Sequence, residues 1–138
     1  MKKITDRIAG GVMTVLSLLL TIGVRTVFSA CGPKEDGSWM TCHWAQQAVF
    51  MTGIALTVIS VIVLIFGSHK AALGASLAAI PVSITAALTP GIAINLCMMT
   101  NMHCHTVMRP AVTVISAMIA VAAAAEAAIQ ISGGKKKR

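Results

Sequence analysis

Apolar residues run along this chain in four long blocks: Ile8 to Ala30, Trp44 to Phe66, Ala71 to Leu96, and Val107 to Ile131. Each is longer than the roughly 20 residues that carry an α-helix across a bilayer core of about 30 Å. The pattern predicts an all-α, four-helix transmembrane bundle as a single domain, with segments 31–43 and 97–106 as its two longer loops. The second and third blocks contain no Lys or Arg. Arg25 and Glu126 fall towards the ends of the first and fourth blocks, where such side chains are expected to snorkel to an interface.

Basic residues then set the direction of insertion. Lys2, Lys3 and Arg7 precede the first span, Lys70 lies between the second and third, and Lys135, Lys136, Lys137 and Arg138 close the chain. Cytoplasmic flanks hold the excess of Lys and Arg, so both termini are expected inside and the two longer loops outside. The short Gly67-Ser68-His69-Lys70 connector predicts a tight hairpin between spans two and three.

Composition narrows the choice further. Hydrophobic residues make up 57% of the 138, charged residues 11%, and mean hydropathy is +0.85, too little charge for a water-facing surface. The net charge of +7 lacks the aromatic-basic groove of a nucleic-acid binder. The expected partner is therefore the lipid bilayer, of a bacterial cytoplasmic membrane, with a larger permease or a second copy of the chain as further candidates and no nucleic acid. Helix contacts within lipid favour small residues, which points to Gly74 with Ala78, and to Ala120, Ala124 and Ala128. Pro81 and Pro90 each remove a backbone donor from the third span and are expected to kink or break it. An alternative for the first span is a lipoprotein signal, with cleavage before Cys31 after Phe28-Ser29-Ala30; Arg25 interrupts that pattern.

Candidate chemistry gathers in the two longer loops. All four cysteines lie there or at their edges: Cys31 and Cys42, Cys97 and Cys104. An oxidising outer surface favours two disulfides. Three connectivities exist for four cysteines, and sequence order favours Cys31–Cys42 with Cys97–Cys104, cross-loop pairing remaining open. Soft donors surround them. Met40, His43, Met102, His103 and His105 offer thioether and imidazole ligands that suit Cu(I) and, less well, zinc or haem iron. Oxidised cysteines would leave such a site to Met and His alone.

Two further chemistries are weighed against this. Covalent haem attachment uses Cys-x-x-Cys-His, whereas ten and six residues separate the cysteines here. Two cysteine pairs in the outer loops of a four-span bundle also resemble the layout of quinone-linked disulfide-generating proteins. There Arg25 or Arg109 would stabilise a charged quinone intermediate, but the Cys-x-x-Cys that activates the attacking thiol is missing. Hydrolytic and phosphate chemistry lack motifs, and the only carboxylates are Asp6, Glu35, Asp36 and Glu126. No catalytic residue is assigned.

Two short motifs carry a family resemblance. Met40-Thr41-Cys42-His43-Trp44 opens the second span, and Cys97, Met102, Cys104 and Pro110 join the third to the fourth. At these residues the chain resembles an uncharacterised family of bacterial four-span membrane proteins (domain of unknown function 4418) with a Met-x-Cys-His-Trp motif. Ala45 and Val49 stand where the family carries Thr and Glu. The resemblance implies the four-span topology and proximity to ABC-type permease systems, with no assigned activity. The expected function is thus a non-enzymatic accessory or subunit of a transport system, with disulfide-stabilised outer loops. The alternatives are a quinone-linked thiol-disulfide oxidoreductase and a copper- or haem-handling membrane protein.

Overall fold

A computed structural model describes residues 2–28, 32, 35–39, 41–66, 68–95 and 104–136, with only the backbone of Lys2, Lys3 and Cys104. The described residues form four helices: α1 (Lys2–Thr26), α2 (Thr41–Phe66), α3 (His69–Leu88) and α4 (Arg109–Lys135). A π-helical turn, Cys104–Met108, leads into α4. All four are long and apolar enough to cross a membrane, the fourth from His105 to Lys135. Large apolar side chains stay exposed on every helix, among them Ile22, Met51, Ile84 and Val121. In water such a surface would be an aggregation liability; in lipid it is simply the outside.

Local signals explain the helix ends. Ser68 caps α3 by accepting the Ala71 N–H at 3.4 Å. Pro110 occupies the first turn of α4, where its missing N–H costs nothing. The third span is shorter than the apolar block Ala71 to Leu96. Pro90 and Gly91 stop α3 at Leu88, and Gly91 takes a φ of +102°, a conformation open chiefly to glycine. The chain then folds back: the N–H groups of Ala93 and Ile94 donate to the carbonyls of Leu88 and Thr89. Pro81, by contrast, sits within α3 without ending it.

The helices pack in a ring, α1 on α2 and α4, and α3 on α2 and α4. Each buries a seam with steps of three and four residues, which alternate strictly on α1, α3 and α4. On α1 the seam is Gly10, Met13, Ser17, Leu20 and Val24; on α3 it is Ala72, Ser76, Ala79, Ser83 and Ala86. On α4 it runs Val112, Ser116, Ile119, Ala123, Glu126, Gln130 and Gly133. Seven residues cover nearly two turns, so this spacing drifts by only about 20° per repeat and holds one face.

This register corrects the small-residue stripes expected from sequence. Gly74, Ala78, Ala124 and Ala128 are exposed and Ala120 is half-buried. A strict four-residue step turns about 40° further round the helix each time, so those residues leave the seam. The contact on α4 follows the three-four seam instead, through Ser116, Ile119, Ala123 and Glu126.

α1 and α2 approach closely at Gly53 of α2, where a Cβ would sit 2.5 Å from Thr21 Oγ1 and 3.3 Å from Thr21 Cα. A Cβ at Gly74 would meet nothing within 4 Å. Gly53→Leu should therefore destabilise the bundle by about 1–3 kcal/mol, and Gly74→Leu should leave it nearly unchanged. Thermal unfolding of the purified variants in detergent checks this; equal midpoints would refute the α1–α2 packing.

Candidate functional site

Helix direction divides the molecule into two ends. The start of α1, the α2–α3 connector and the end of α4 meet at one, the terminal end, as the contacts of Asp6 and His69 with Gln130 and of Gly10 with Leu64 require. The other, the loop end, holds the end of α1, the start of α2, the turn after α3 and the π-helical turn before α4.

At the loop end, Cys42 and Met108 are fully buried and belong to one core cluster with Val24, Ala45, Val49 and Val112. The start of α2 and the end of the π-helical turn thus share one core. His43 is half-buried and stacks on Trp39 with ring centroids 4.1 Å apart, while Trp44 meets it edge-on at 5.8 Å. Both Trp rings are more than half exposed, in the position of interfacial anchors. His105 is half-buried in the π-helical turn. Arg25 lies over the Phe50 ring at 4.8 Å, and Gln46 Nε2 donates to the Val24 carbonyl at 2.9 Å. The Arg109 guanidinium lies against Gly91, where a Cβ would come within 3.2 Å of its Cζ.

Of the expected metal ligands, Met40, Met102 and His103 lie outside the described residues, as do Cys31 and Cys97; the Cys104 side chain does too. Among the described residues no group of three or more His, Cys, Asp or Glu is placed to hold a metal ion.

At the terminal end the structure assembles polar groups that the sequence reading left apart. Gln130 Nε2 donates to Asp6 Oδ1 at 3.0 Å, tying α4 to α1. His69 Nε2 lies 3.0 Å from the Gln130 carbonyl oxygen, tying α4 to α3. A carbonyl can only accept, so in this bond Nε2 carries the hydrogen. One turn deeper on α4 is Glu126, only 5% exposed, with Oε1 lacking a hydrogen-bond partner among the described residues. This corrects the expectation that Glu126 snorkels. The helix continues nine residues beyond it to Lys135, and its seam position turns the carboxyl inwards.

Two cavities flank this cluster. An outer one of about 280 Å³ is lined by Asp6, Arg7, Phe66, Ser68 and His69 among others. An inner one of about 10 Å³ is lined by Gly10, Met13, Ser60, Ser76 and Glu126 with their neighbours. Val63 borders both, and Asp6 to Gly10 and Ala72 to Ser76 are single helical turns, so the inner cavity lies one turn below the outer. The sequence signal that could have found the cluster is the spacing of Glu126, Gln130 and Gly133, which continues the Val112 seam.

Fold and site together define a multi-pass α-helical membrane protein with a polar cluster buried at one end of a four-helix bundle. The family described as Domain of unknown function (DUF4418) matches residues 13–129, and the chain belongs to that family. Comparison with curated proteins and with solved structures gives no match.

Gln130→Leu keeps the side-chain bulk but removes the donor to Asp6, and should cost about 1 kcal/mol of stability, read as a lowered unfolding midpoint in detergent. An unchanged midpoint would show that the α1–α4 bond contributes nothing.

Proposed function

We propose that this protein is a non-enzymatic component of a membrane transport system, an accessory or subunit packed against a larger permease or against further copies of itself. The observation that carries the reading is Glu126. An ionisable side chain within a membrane span, turned into the bundle and incompletely hydrogen-bonded, marks an ion or substrate path more often than a structural contact. The proximity to ABC-type permeases that the family resemblance implies agrees with the same reading. Both termini face the cytoplasm of a bacterial cell in this proposal, since the described basic residues Arg7, Lys70, Lys135 and Lys136 belong to the terminal end and the sequence adds Lys2, Lys3, Lys137 and Arg138 beside them. Cys31, Cys42, Cys97 and Cys104 then face an oxidising exterior and form two disulfides that fix the loops.

Mild-detergent purification of the full chain from its native membrane, with mass spectrometry of what accompanies it, tests the assignment. A permease or a homo-oligomer in stoichiometric amount is expected, together with cysteines that become alkylatable only after reduction. A trappable mixed disulfide whose redox state follows the quinone pool would overturn the proposal in favour of an oxidoreductase. Copper or haem retained by the purified protein, and lost in Met102, His103 and His105 variants, would overturn it in favour of metal handling.

A further inference from the structure

The inner cavity at the terminal end has an unusual donor set. Ser60 and Ser76, 4% and 2% exposed, line it together with Glu126. Each serine hydroxyl gives its only hydrogen to a carbonyl of its own helix, Ser60 to Leu56 at 2.8 Å and Ser76 to Ala72. What remains for the cavity is oxygen lone pairs. Glu126 Oε1 adds another acceptor with no donor to meet it among the described residues. The remaining lining, Gly10, Met13, Ile59, Val63 and Ala75, supplies no side-chain donor.

Three acceptor oxygens from three helices, with no donor among the side chains that line the cavity, suit a positively charged guest. The cavity, about 10 Å³, is at the lower limit for one water-sized particle, which excludes a hydrated ion or an organic cation. A single carboxylate supplies one negative charge. A divalent ion would leave a net positive charge on this single carboxylate, and magnesium also keeps several waters for which there is no room.

We propose that Glu126, Ser60 and Ser76 bind a small, dehydrated monovalent cation of the sodium class, entering from the terminal end through the outer cavity. Asp6 and His69 flank that entrance on α1 and α3, with Arg7 as the opposing charge; α2 contributes no ionisable side chain to either cavity. The ion cancels the charge of a carboxylate that would otherwise stand unpaired in apolar surroundings. The proposal deepens the transport reading by naming the ion class such a system would couple to or sense.

Carbodiimide labelling of Glu126 in the purified full chain, followed by peptide mass spectrometry, tests it. The comparison is sodium chloride against choline chloride at equal ionic strength and fixed pH. Glu126 should be modified in choline, and about tenfold more slowly once sodium exceeds its dissociation constant tenfold. Ser60→Ala and Ser76→Ala should each raise the half-protecting sodium concentration about tenfold, the worth of one polar ligand. Glu126→Gln should abolish the labelled peptide; should that variant fail to fold, the wild-type comparison still decides. Equal labelling in sodium and choline, no labelling of Glu126 in either, or full protection in both serine variants would overturn the site, and a carboxyl that answers only to pH would replace it with a proton site. Sodium protection without a co-purifying permease or oligomer would overturn the accessory assignment alone, and a partner with sodium-indifferent labelling would overturn the cation site alone.

Discussion

A hydrocarbon solvent offers no hydrogen bonds, so each polar group on the four helices must be satisfied within the chain. The hydroxyls show how this is met. Thr14, Ser17, Thr21, Thr52, Thr57 and Ser60 all donate to a carbonyl one turn back on their own helix. That arrangement lets serine serve as a small packing residue: Ser17, Ser76 and Ser83 all stand on buried seams beside Ala and Gly. Close approach follows, as at Gly53 against Thr21. Against this background two buried oxygens on α4 stand out among the described residues by lacking a hydrogen-bond partner, Ser116 Oγ and Glu126 Oε1.

The same constraint separates the two ends of the bundle by chemistry. At the loop end, Cys42 and Met108 behave as apolar packing residues, buried with Val and Ala, while Trp39 and Trp44 face outwards at the level of an interface. At the terminal end the interior turns polar, through Asp6, Gln130, Glu126, Ser60 and Ser76. One fold therefore holds an aromatic rim and an oxygen-rich interior at opposite ends of the bundle, and the second lines a cavity among the described residues.

How legible was this beforehand? The four helices follow from hydropathy alone, because crossing hydrocarbon demands a long apolar run and the chain contains four. Their lengths were less so. The apolar block from Ala71 continues to Leu96, yet Pro90 and Gly91 close the helix at Leu88, which hydropathy does not register. The packing faces were misplaced for a related reason: with alanine on every side of α4, composition does not single out the seam, and the four-residue rhythm of Ala120, Ala124 and Ala128 runs beside the three-four rhythm that packs. Depth along a helix can be counted from sequence, but facing cannot, and Glu126 was placed by its depth. Its partners come from α1, α2 and α3, more than 40 residues away in the chain.

The central claim is that lipid surrounds the exposed faces of these helices while the polar seam is shielded from it. A nitroxide scan along α4, in a chain whose native cysteines are replaced and which is reconstituted in vesicles, measures this directly by collision with oxygen, which concentrates in lipid. Accessibility should peak at Val114, Met118, Val121 and Ile129 and fall at Val112, Ser116, Ile119 and Ala123, as their exposure and burial require. Equal oxygen access at both sets, or preferential access of a water-soluble relaxant to the first set, would contradict the account.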